Sequence, residues 1–236
     1  MQLDRIASLL APFLPPPGLS QSQLQSVSNH LDLLLQWNSK INLTSVRSPE
    51  EIVARHFGES FFLAHVLFPP GQLRASQSPL PDPQSLIPNP PDEPIQYIDV
   101  GSGAGFPGLP LKLYVPNLQV TLIESQNKKA TFLKEVVRKN RLMNIDIFSG
   151  RAESFTAALS ASASARPAAL VTMRAVERFA QVLPIAARLL SPGGRLALLI
   201  GSSQLPRVHE LLPSAAWRPP VPIPLSRSRV LLISEP

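Results

Sequence analysis

Apolar positions follow a helical rhythm in the first third of the chain and a strand-then-helix alternation after residue 95. In the segment 20–37, Leu24, Val27, Leu31, Leu34 and Leu35 recur at three- and four-residue spacing, which predicts a helix packed along one face. Ser20 stands where an N-cap belongs. A shorter apolar stretch, Ile6–Leu14, is broken by Pro12 and predicts a short helix. Ser48-Pro49-Glu50-Glu51 has the form of a capping box with Pro at the first helical position, so a helix is expected from there to about Phe68. Residues 1–68 therefore read as an N-terminal helical extension. Nine prolines crowd residues 69–94, which reads as a linker or insertion.

From 95 onward short apolar runs alternate with helical segments. Strands are expected at 95–100, 118–124, 145–149, 169–173 and 195–200. Between them, helices are expected from Pro107 to Pro116, over 126–141, just after Glu153 and over about 176–190. An Ala/Ser-rich stretch fills 157–169, and Pro192-Gly193-Gly194 reads as a turn. A last helix at 203–212 precedes two short strands, 217–223 and 229–234, expected to pair antiparallel. Residues 95–236 thus form the α/β part of the chain, with a mostly parallel sheet.

The first of these strands ends Tyr97-Ile98-Asp99-Val100 and runs into Gly101-Ser102-Gly103-Ala104-Gly105. A dinucleotide fingerprint would need a third glycine at 106, where Phe106 stands. Alternate glycines after an acid that closes a strand are instead the loop pattern of S-adenosylmethionine (SAM) methyltransferases. Asp99, Gly101, Gly103 and Phe106 are the first cofactor candidates. Glu124 closes the second strand 23 residues after Gly101, where nucleotide-binding folds use an acid to accept from ribose hydroxyls. Ala152 and Glu153 follow the third strand, where methyltransferases commonly hold adenine. Glu153 as a plain helix-capping acid remains an equal reading.

Composition removes several chemistries. With no cysteine there is no disulfide, no thiolate zinc site and no cysteine nucleophile of the kind that methylates pyrimidine carbon-5. His30, His56, His65 and His209 lack metal-ligand spacing, so no metal is expected. No apolar run reaches membrane-span length, and the N-terminus does not read as a signal peptide, so a cytoplasmic protein is expected. Net charge is +6, and 128–141 gathers Lys128, Lys129, Lys134, Arg138, Lys139 and Arg141 against Glu135. Such a helix suits a polyanion such as RNA; a solvated outer face is the competing reading.

The fourth strand ends Thr172-Met173-Arg174, with no Asn/Asp-Pro-Pro-aromatic element to activate an amino group. Asn89-Pro90-Pro91 resembles one, but it precedes the first strand and is followed by Asp92. Guanine N7 needs no such activation, because its lone pair lies free in the base plane.

The chain resembles the RsmG (GidB) family, bacterial 16S rRNA guanine-N7 methyltransferases, from about residue 30 to 234. The stretches that carry the resemblance are Trp37-Asn38 through Asn42-Leu43-Thr44-Ser45-Val46, Arg55-His56, Asp99 through Gly105-Phe106-Pro107-Gly108-Leu109-Pro110, Lys128-Lys129, Gly150 through Glu153, and Arg174-Ala175. The resemblance implies a Rossmann-like, seven-stranded SAM-dependent methyltransferase fold acting on 16S rRNA or the small ribosomal subunit, as a monomer. It puts Gly101, Phe106, Ala152, Glu153 and Arg174 at SAM-binding positions and turns Arg55 and His56 toward the cofactor cleft. Arg174, Arg55 and His56 are then positioning candidates with no general base, and Arg55, Lys128, Lys129 and Arg138 are expected on RNA phosphates.

Two departures stand out. The family's Lys-Gly after the fifth strand is Ile200-Gly201 here, which leaves a catalytically inactive rRNA-binding protein as the alternative. The family's His-x-x-Asp-Ser is His56-Phe57-Gly58-Glu59-Ser60. A nicotinamide-dependent oxidoreductase is opposed by Phe106 and the Gly-Phe-Pro-Gly continuation.

Overall fold

The computed structural model describes residues 1–69, 94–161 and 166–236. The expected proline-rich insertion, Asn89-Pro90-Pro91 included, lies almost wholly outside the described residues, as does part of the Ala/Ser-rich stretch.

The described residues form one seven-stranded sheet in the order β3-β2-β1-β4-β5-β7-β6. Its members are β1 (Ile95–Val100), β2 (Leu118–Glu124), β3 (Ile145–Ser149), β4 (Ala168–Arg174), β5 (Leu190–Gly201), β6 (Val221–Pro222) and β7 (Arg229–Ile233). Strands β1 to β5 run parallel, and β7 enters antiparallel between β5 and β6. The strands are aliphatic on both faces because helices cover both. Leu196, Leu198 and Ile200 of β5 join one apolar cluster, and Ala197 and Leu199 the other, as alternation along a strand requires.

On the first face lie α1 (Leu3–Leu10), α2 (Gln21–Asn38), α3 (Pro49–Ile52), α4 (Glu59–Leu67), α5 (Gly108–Tyr114) and α6 (Asn127–Lys139). Ile6, Leu31, Phe57, Phe61 and Leu67 from the N-terminal segment share one core with Leu109, Val120 and Phe132. The opposite face carries α7 (Ala152–Ala161), α8 (Phe179–Ala187) and α9 (Leu205–Leu211).

Five local differences from the sequence reading have physical causes. Ser20 makes the full capping box with Gln23, but Ser48 makes half of one, because the Glu51 side chain turns to Arg55 instead of returning to the cap. The helix expected from 49 to 68 is interrupted by a π-helical segment, Val53–Gly58, a form that concentrates at functional sites. The helix expected from 176 starts only at Phe179, since Ala175 and Arg178 take left-handed backbone (φ 50° and 56°). Pro192-Gly193-Gly194 lies within β5, where the pairing with β4 shifts register. The strand expected at 217–223 is reduced to Val221–Pro222 and an isolated Trp217–Ser234 bridge, because Pro219, Pro220 and Pro224 donate no N–H.

Candidate active site

A cavity of about 470 Å³ opens at the carboxyl ends of β1, β2 and β4. Ligands of open α/β sheets bind at this edge. Its floor is the loop after β1. Gly101 N and Ser102 N both donate to Ile123 O, at 2.9 and 3.0 Å, which ties the loop to β2. Gly103 has φ +55°, and a Cβ built there would meet nothing nearer than Gly101 O at 3.8 Å. The backbone at Gly103 is therefore bare toward open space and in a conformation that side chains disfavour. Phe106 follows, packed between His30 (centroids 5.0 Å apart, rings nearly parallel) and Phe57 (4.8 Å, edge-on), with one side on the cavity.

Glu124 reaches this loop from the end of β2. Its Oε2 accepts from Gly103 N at 2.9 Å, and its Oε1 accepts from Gln126 N at 2.7 Å. Two donors leave a carboxylate with further acceptor positions. Ala152 and Glu153, at the start of α7, line the same end of the cavity beside Gly150.

Asp99 is a correction. It does not line the cavity; its side chain is wholly buried beneath the loop. Thr172 Oγ1 donates to Asp99 Oδ1 at 2.7 Å, and Gly108 N donates to Oδ2 at 3.2 Å. A Cβ at Gly108 would lie 2.8 Å from Oδ2, so glycine is what allows this approach. Burial raises the Asp99 pKa to about 6. Asp99 thus ties β1 to β4 and to the start of α5, and so braces the glycine loop that runs from β1 to α5.

At the other end, β4 meets the π-helical segment. Arg174 Nη2 donates to Arg55 O at 2.9 Å, to His56 Nδ1 at 2.9 Å and to Glu59 Oε2 at 3.1 Å. With Nδ1 accepting, the imidazole proton stands on Nε2 and is donated to Thr44 Oγ1 at 2.7 Å. Burial first, then the Arg174, Arg55 and Arg229 charges, lower the His56 pKa to about 2. The ring is therefore neutral across the working range and has no free lone pair. Burial likewise lowers Arg174 to about 10, with Glu59 opposing the shift.

The Trp37-Asn38 to Thr44 stretch explains itself here. Asn38 Oδ1 accepts from Leu43 N and Thr44 N, and its Nδ2 donates to Thr44 O at 3.0 Å. One side chain folds the loop so that Thr44 faces His56. Trp37 Nε1 donates to Glu135 at 2.8 Å, joining α2 to α6.

The expected RNA contacts are dispersed. Lys129 and Arg55 line the cavity. Arg55 is half exposed and paired with Glu51 at 2.8 Å. Lys128 is exposed at the start of α6, and Arg138 at its last turn, away from the cavity. Arg151, Arg178 and Arg229 also line the cavity, and sequence reasoning missed all three. Ile200 is buried in the apolar cluster beside α8 and α9 and does not reach it. No group of metal-ligating side chains is found among the described residues.

A seven-stranded sheet of this order, with a glycine loop, a carboxylate at the end of β2 and an open cleft above them, defines the Rossmann-like methyltransferase class. The chain overlays with a TM-score of 0.55 on cofactor-bound Rv0187 from MTB, at 12% identity, covering 94% of this chain and 92% of that one. Residues 85–216 match the family model GidB, described as rRNA small subunit methyltransferase G. The chain is 35% identical over 182 residues to ribosomal RNA small subunit methyltransferase G of Streptococcus pyogenes, covering 77% of this chain and 67% of that one. The Streptococcus pneumoniae protein of that name matches at 35% over 185 residues, covering 78% and 68%. The chain belongs to the rRNA small subunit methyltransferase G family.

Proposed function

We propose that this protein transfers the methyl group of SAM to N7 of one guanine in 16S rRNA, in the cytoplasm where ribosomes are built. The observation that carries the N7 assignment is the Arg174–His56 pair. It leaves the end of β4 with a cation and a neutral imidazole whose lone pair is already used.

The residues present fit the cofactor. Gly103 offers bare backbone, Glu124 keeps acceptor capacity for ribose hydroxyls, and Ala152 and Glu153 stand where adenine would lie. Arg174 would anchor the methyl-transfer end. When bound, SAM supplies a methyl group made electrophilic by its sulfonium. Guanine N7 would give its lone pair to that carbon while the sulfur keeps the pair of the broken bond. Positive charge passes to the ring and no proton is released, so a site without a base suffices. The work left to the protein is orientation and exclusion of water.

Ile200 is the feature that favoured a binding-only protein, and its side chain is buried away from the cavity. Six cations line that cavity without it, Arg55, Lys129, Arg151, Arg174, Arg178 and Arg229. Tritium transfer from labelled SAM into small-subunit rRNA tests the reading. Incorporation is expected with the wild-type chain, and SAM binding without incorporation would favour the binding-only alternative.

A further inference from the structure

Glu59 is shared by two arginines. Its Oε2 lies 3.1 Å from Arg174 Nη2 and 2.9 Å from Arg229 Nη2. The Glu59 and Arg174 side chains are almost fully buried, and Arg229 is one-fifth exposed. One carboxylate cannot neutralise two guanidinium groups, so the cluster keeps one positive charge at the cavity wall. The Nε atoms of both arginines are buried and have no acceptor among the described residues. Buried donors without acceptors are uncommon. An excess cation on the wall of an open cavity suits an anionic ligand.

Arg229 comes from β7, opposite Gly201 of β5. By strand alternation it shares a face with Leu231, on the side of the N-terminal helices, whereas Ile200 points to the other side. The cavity thus receives a cation from the antiparallel strand at the position where β5 ends.

We propose that Arg229 holds an RNA phosphate beside the target guanosine, with Glu59 fixing its side chain. This rests on the rRNA methyltransferase reading above. The charge flow of the reaction argues for phosphate over base: N7 becomes cationic as it is methylated, and a guanidinium at the base edge would oppose that. A phosphate at Arg229 stays anionic throughout. Such a contact serves ground state and transition state equally, so its loss raises KM and leaves kcat.

The test uses Arg229→Gln and Arg229→Lys in the full chain. Wild-type transfer to the rRNA substrate is measured first; its absence would overturn the parent reading and leaves Arg229 to direct RNA binding. For Arg229→Gln the KM for RNA should rise about tenfold or more, with kcat nearly unchanged. The slope of log affinity against log salt should fall by about one unit. SAM affinity by calorimetry should stay near wild type. Arg229→Lys keeps the point charge and should restore the slope and most of the KM. An unchanged KM and slope in a folded Arg229→Gln would overturn the proposal. Lost SAM affinity with intact RNA binding would also overturn it, assigning Arg229 to the cofactor carboxylate. If Arg229→Gln fails to fold, Arg229→Met takes its place with the same expected rise in KM and fall in slope, and an unchanged KM and slope in it overturns the proposal.

Discussion

Arg174 Nη2 donates to His56 Nδ1 at 2.9 Å, and this bond occupies the imidazole lone pair that faces β4. The imidazole, a positioning candidate in the sequence, is neutral, with its pKa lowered by burial to about 2.

The methyl-transfer step should therefore be flat between about pH 6 and 9, since no essential base titrates there. Single-turnover rates across that range are the measurement. A steep acid limb near pH 7, above the Asp99 range, would mean a titrating base.

Stability, in contrast, should depend on pH. Burial holds His30 at about 4, and His56 is held at about 2, both below 6.5. The unfolded chain takes up these protons as pH falls through 6.5, and the folded chain does not, so stability is lost toward acid. Asp99, raised from 3.8 to about 6, acts in the opposite sense between those values and offsets one imidazole. These three groups together leave a net loss on the order of 1 kcal/mol per pH unit between pH 6 and 4. Urea titrations in that range should show it, and His30→Phe should remove most of it. An unchanged slope in that variant would contradict the His30 assignment.

Gly103→Val should abolish SAM binding in a folded protein. A Cβ there projects into open cavity, and φ +55° is hostile to a branched residue. Calorimetry giving near-normal affinity in a folded variant would remove the loop from the cofactor site.

Glu124→Gln should weaken SAM by roughly 1–3 kcal/mol, because a charged acceptor becomes neutral and the Gly103 and Gln126 N–H groups lose a carboxylate. A changed melting temperature with an unchanged dissociation constant would make Glu124 structural.

Several residues that line the cavity were legible because their signals are local. The glycine loop lies within a few residues of the strand and helix it joins, and Glu124 was found from its place at the end of β2 although it holds Gly103, 21 residues away. Asp99 was legible as important but not as buried, since the same position serves either a ligand or the β4–α5 joint. The Glu59–Arg229 contact joins α4 to β7, and no periodicity reports a pairing between residues so far apart in sequence. The π-helical segment was hidden too, because its residues carry an ordinary helical pattern. The late start of α8 follows from left-handed Ala175 and Arg178, whose residue types give no warning.

Neutralising Lys128, Lys129 and Arg138 together should lower the salt slope of RNA binding by roughly two to three units. Lys128 and Arg138 are exposed, and Lys129 reaches the cavity rim. An unchanged slope would move the RNA to the N-terminal helices.

The central claim is methylation at N7 with no base supplied by the Arg174–His56 pair. Borohydride reduction and aniline cleavage of the product 16S rRNA test it most directly, since N7 methylation weakens that ring alone. Cleavage at a single guanosine, dependent on both enzyme and SAM, is the expected result. A methyl group mapped to N1, N2 or a pyrimidine carbon, with no aniline-sensitive site, would contradict it.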